Sequence, residues 1–105
     1  MAKAPHAFEL HVFLATGVAV PGSGASAGKR YSLLIFSRQR EGEPADERLA
    51  REGAASAGWK ELQIERSKRL PAGVPPAEDT LKAAFDDALR DGCSVLAYEK
   101  PLAAA

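Results

Sequence analysis

The sequence predicts one α/β domain, a two-layer sandwich in ββαβαβ order with a mixed four-stranded sheet and both helices packed on one face. Three observations predict it. Phe8–Leu14 and Tyr31–Phe36 are apolar runs of strand length separated by a small-residue loop. Two later stretches repeat apolar or small residues at helical spacing, and Glu61–Glu65 alternates between them. At 105 residues the chain is one ordinary domain, 1–105, with no room for a second.

In the first run Phe8, Leu10, Val12 and Leu14 alternate with Glu9, His11, Phe13 and Ala15, the two-residue period of a strand. The segment from Pro21 to Arg30 is small, polar and glycine-rich, and reads as a flexible exposed loop. Tyr31–Phe36 (YSLLIF) is apolar on both faces and suits a central strand, paired antiparallel with the first. Pro44, Asp46 and Glu47 mark a helix start, and Leu49, Gly53 and Ala57 recur every four residues up to the Gly58 stop. Leu62 and Ile64 then alternate with Glu61, Gln63 and Glu65, as in a strand covered on one face and wet on the other. That alternation is the ground for one-sided helix cover, because two-sided cover would bury those polar residues. Leu81, Ala84, Phe85, Ala88 and Leu89 form a helical stripe ended by Gly92. Cys93–Tyr98 is the last strand, and residues 101–105 are expected to fray. Each strand–helix–strand unit implies a right-handed crossover and parallel partners, so three parallel strands and one antiparallel strand are expected. In layout this resembles the small ferredoxin-like α/β sandwiches; a resemblance of architecture fixes no function.

Fourteen basic residues balance fourteen acidic ones. A neutral total argues against a dedicated nucleic-acid or membrane-surface binder. One cysteine, Cys93, permits neither an intramolecular disulfide nor a cysteine-based zinc site, and suits a reducing cytoplasm. The apolar run Val12–Val20 and the small residues Ala25-Ser26-Ala27 imitate a secretory signal, but Glu9, His6 and His11 interrupt the approach to the run, and a cytoplasmic location is expected.

The loop GSGASAGKR (Gly22–Arg30) misses the spacing of a phosphate-binding loop, has Arg30 where Ser or Thr would hold magnesium, and leads into a strand. His6 and His11, five apart, point to opposite faces of a strand and cannot share a metal. His11 does share a face with Glu9. Cys93 has no base beside it in the sequence. No catalytic set, cofactor or metal is therefore implied.

The basic strand ends carry more information. Arg38, Arg40, Arg66, Lys68, Arg69 and Lys100 would line one edge of a parallel sheet, where open α/β sheets bind ligands, and form the candidate anion site. Phe13, Leu34, Phe36 and Tyr98 on the uncovered face, with Trp59 nearby, form the candidate interface. The leading expectation is a non-enzymatic binding or protein-interaction module that self-associates as a homodimer through its open sheet face or takes another protein there. A small enzyme clamping an anionic substrate with Arg38, Arg40 and Arg66, and using His11 or Tyr98 for proton transfer, is the alternative. A single-stranded nucleic-acid binder ranks third, because Glu61 and Glu65 sit badly with it.

Overall fold

The computed structural model describes residues 8–102. Its elements are β1 (Phe8–Ala19), β2 (Arg30–Arg40), α1 (Glu47–Ser56), β3 (Trp59–Leu70), α2 (Asp79–Asp91) and β4 (Cys93–Ala97), in the expected ββαβαβ order. His6 and residues 103–105 of the expected tail lie outside the described residues, whereas Leu102 N–H donates to the Arg30 carbonyl at 2.7 Å.

The sheet is not mixed. Its order is β3-β1-β2-β4 and every neighbouring pair is antiparallel. The crossover through α1 does return the chain parallel to β2, but β1 already lies between β2 and β3, so those two strands never pair. After α2 the chain passes to the opposite edge and pairs with β2.

The cover is two-sided, which corrects the expected layout. Phe13, Ala15, Leu33 and Ile35 pack with Ala50 and Ala54 of α1. Leu10 and Phe36, at the alternate positions of the same two strands, pack with Ala84, Phe85 and Ala88 of α2. Successive strand residues point to opposite faces, so the helices lie on opposite sides of the sheet. This removes the close analogy with a one-sided sandwich. Glu61, Gln63 and Glu65 stay exposed for another reason: β3 is an edge strand broken by two register shifts, opposite Leu14/Ala15 and Thr16/Val18. Glu61 has left-handed backbone (φ 51°) at the second of these, while Leu62 and Ile64 still reach the α1 core.

Local chemistry sets both helices. The Asp46 side chain accepts from the Arg48 and Leu49 amides, and Glu78 does the same for Thr80 and Leu81. Gly92 ends α2 with φ +102°, a conformation that costs glycine nothing. α1 lies close to the sheet because its inward face is small: Ala50 and Ala54 are fully buried, and a methyl group on Gly53 would overlap the Cys93 Sγ. Gly53→Ala is therefore expected to cost about 1–3 kcal/mol in urea unfolding, in spite of alanine's better helix propensity. Cys93→Ala should recover most of that loss; equal stability of Gly53→Ala and the wild type would refute the contact.

The strands are long and the helices short. Twelve residues of β1 reach about 40 Å, while the thirteen residues of α2 reach about 20 Å. Each helix thus covers about half of its face. On the α1 side the rest is closed by residues 41–46 at one end and, at the other, by Trp59, which meets Tyr31 edge-on at 5.6 Å. On the α2 side nothing among the described residues closes the other half, and Val12, Leu14, Val18, Ser32 and Leu34 are only half-buried.

Candidate functional site

The half-bare α2 side holds a groove of about 520 Å³ floored by Val12, Leu14 and Leu34 and lined by Arg66, Lys68 and Tyr98. The strand register builds it. Leu14 lies opposite Leu34 on one side and Arg66 on the other, and Val12 lies opposite Lys68. The far wall comes from Tyr98, just past β4, a residue 53% exposed whose N–H donates to the Ser32 carbonyl at 3.0 Å. Arg66 and Lys68 are exposed and form no ion pair or side-chain hydrogen bond among the described residues.

The other expected anion-site residues are placed differently. Arg38 donates to the Leu89 carbonyl at the end of α2 (2.8 Å) and stacks over Phe8 at 5.0 Å. Arg69, on the α1 side opposite His11, pairs with Glu9 at 3.3 Å and donates to the Glu43 carbonyl. Arg40 lines a separate cleft of about 630 Å³ beside the α1 N-terminus. Lys100 follows β4, which runs against β2, and so stands at the opposite end of the sheet from Arg38 and Arg40. Strand direction separates only Lys100: β2 and β3 run the same way with β1 between them, so the other five residues lie towards one end of the sheet but are divided by face and by partner. Of the expected interface residues, Leu34 and Tyr98 meet in the groove, while Phe13, Phe36 and Trp59 are buried in the core.

A second polar cluster lies beneath residues 41–46. Glu9 and His11 are each 3% exposed, with Ser37 and Gln39 buried beside them. The Glu9 carboxylate accepts the Gly42 N–H at 2.8 Å, and Gln39 ties down the same segment by donating to the Pro44 carbonyl and accepting from the Asp46 N–H, both at 2.8 Å. His11 Nε2 lies 3.8 Å from Glu9 and has no hydrogen-bond partner among the described residues. Burial pushes the His11 pKa below its ordinary 6.5, aided by the Arg69 guanidinium and opposed by the Glu9 carboxylate and the Glu43 backbone. The unfolded chain therefore binds the extra proton first as pH falls. Stability should drop as pH is lowered through 6.5 and level off once folded His11 is also protonated. His11→Asn should remove this component of the pH profile, measured by urea unfolding between about pH 7.5 and 5; an unchanged profile would show that His11 is not its source.

This cluster was legible only in part. Glu9 and His11 occupy the same alternate positions as Phe13 and Ala15, which marked them for burial. The lid over them had no signal beyond Gly42, whose φ of +90° lets the chain turn back. Neither the groove nor the α1 cleft is lined by His11. His11 and Tyr98 therefore do not converge on a common site. Burial also pushes the Cys93 thiol up, away from the reactive thiolate. Among the described residues no group of three or more His, Cys, Asp or Glu could hold a metal, and no helix is long and apolar enough to cross a membrane.

Fold and groove together define a small α/β protein with an antiparallel sheet, one helix on each face, and one face half bare. No family model matches the chain, and neither curated proteins nor solved structures show a significant match to it.

Proposed function

We propose that the protein is a non-catalytic interaction module whose groove on the α2 side takes an apolar, carboxylate-bearing segment of a protein partner. One observation carries this reading: two unpaired cations, Arg66 and Lys68, stand at the edge of a half-buried floor of Val12, Leu14 and Leu34. An apolar floor favours a partner that brings aliphatic groups out of water. The arginine fork offers two parallel hydrogen bonds to a carboxylate, and the positive rim speeds encounter with an acidic partner. An enzymatic reading would need an acid–base pair facing the groove, and His11 lies on the other side of the sheet. A nucleic-acid reading would need several exposed aromatics for stacking, and among the described residues Tyr98 is the only aromatic lining the groove.

The test uses synthetic peptides of alternating leucine with aspartate or with lysine, followed through the methyl NMR signals of Val12, Leu14 and Leu34. The leucine–aspartate peptide should shift all three, and Arg66→Glu/Lys68→Glu should weaken its binding by about tenfold or more. Equal binding of the lysine peptide, or methyl signals that do not move, would overturn the proposal.

A further inference from the structure

We infer that the segment that fills the groove is α2 of a second copy of this chain, so that the protein forms a two-fold dimer through its half-bare face. The inference rests on the groove reading and names the groove's occupant.

The zero net charge of the chain conceals a division of charge on this side of the molecule. The open half of the sheet presents Arg30 and Lys60, both opposite Val18, together with Arg66 and Lys68. None of these four forms an ion pair among the described residues; Thr16, Ser32 and Gln63 between them are uncharged, and the carboxylates of this stretch, Glu61 and Glu65, stand at the register shifts of β3 and leave the balance positive. The helix covering the other half has the opposite balance. With its cap residue, α2 carries the carboxylates Glu78, Asp79, Asp86, Asp87 and Asp91 against only Lys82 and Arg90. A basic half-face and an acidic helix therefore lie side by side on one surface.

Such a surface complements itself. Turning a second copy face to face about a two-fold axis lays each α2 over the other's bare half, with the two helices side by side between the two sheets. The same pair of patches is then used twice and the assembly closes. The outward ridge of α2 suits this placement. Asp79, Ala83 and Asp86 are exposed at i, i+4 and i+7. The small Ala83 lets the helix backbone approach Leu14 and Leu34, while Asp79 and Asp86 reach the cations on either side, Asp86 exchanging its exposed pairing with Lys82 (3.0 Å) for one with the other copy. Each groove is completed by carboxylates that only the other copy supplies. Edge-to-edge pairing through β3 is the poorer route, because two register shifts and a row of charged side chains interrupt that edge.

The test is a charge swap read by sedimentation velocity. The wild type should dimerise at low ionic strength, with affinity falling by about tenfold or more on going from about 0.05 M to 1 M salt. Arg66→Glu/Lys68→Glu and Asp79→Lys/Asp86→Lys should each be monomeric, since either change brings like charges together. A one-to-one mixture of the two should dimerise, because both of its interfaces are complementary again. All four positions are exposed, and circular dichroism checks that each variant folds. A mixture that stays monomeric, or a dimer that survives Arg66→Glu/Lys68→Glu, overturns the inference. If the wild type is monomeric but still binds the leucine–aspartate peptide, the second copy is the wrong occupant and the groove reading stands. If it neither dimerises nor binds the peptide, both fall.

Discussion

Phe85→Ala is expected to cost about 3–5 kcal/mol, the largest loss from any single truncation within α2. Phe85 is 1% exposed and is the one aromatic ring that α2 inserts between itself and the sheet, against Leu10 and Phe36. Ala84 and Ala88, its buried neighbours on the helix, are too small to close the resulting cavity. Collapse is also restrained from outside the core, since Arg38 holds the end of α2 and Ser94 Oγ donates to the Ala84 carbonyl at 2.6 Å. Urea unfolding measures the loss, and Phe85→Leu should recover more than half of it. The effect should also reach the groove, because a loosened α2 no longer bounds the open half of the face. A loss below about 1 kcal/mol would mean that α2 contributes little to the core.

The second large effect is expected at Glu9. Replacing it by leucine leaves the Gly42 N–H without its acceptor, Arg69 without its ion pair, and His11 beside an apolar group. Unsatisfied groups of this kind cost about 1–3 kcal/mol each, so a total of about 2–4 kcal/mol is expected after partial relaxation towards solvent. The damage should be local first. The amides of Gly42 and Asp46 should lose hydrogen-exchange protection while those of α2 keep theirs. Glu9→Gln, which preserves one acceptor, should cost less. Because Glu9 and Arg69 touch, their double mutant should lose less than the two single losses together. Full stability of Glu9→Leu would show that residues 41–46 are held by Gln39 alone.

Residue patterns within single strands foretold the elements well, and relations between elements poorly. The period of two in Phe8–Leu14 and the period of four in Leu81–Leu89 each arise from neighbours along the chain, so both could be read directly. Strand order depends on which strand reaches the flank of β1 first, and no local pattern encodes that. The alternation of Glu61, Gln63 and Glu65 illustrates the difficulty: the same pattern arises from a sheet with one bare face and from an edge strand with displaced register. The YSLLIF segment, with leucine, isoleucine and phenylalanine divided between its two faces, was the better guide, since a strand with apolar residues on both sides already implies some cover on both faces. For the site, Arg66 and Lys68 stood out as basic residues at a strand end. Their freedom from partners became visible only once Arg38 and Arg69 were seen engaged with α2 and Glu9.

The position of β1 and β2 at the centre of the sheet also bears on how the chain folds. Their hairpin is the most local strand pairing in the molecule, closed by a loop of ten residues, whereas β3 and β4 must each be delivered by a helix to an outer flank. The loop-closure cost is lowest for the hairpin, and its two sides already hold the apolar residues on which both helices condense. Substitutions at Leu33 and Leu10 should therefore slow folding, while those at Leu62 and Val95 should mainly speed unfolding. The sheet is therefore expected to form outward from its central pair, with its flanks the last parts to form and the first to open.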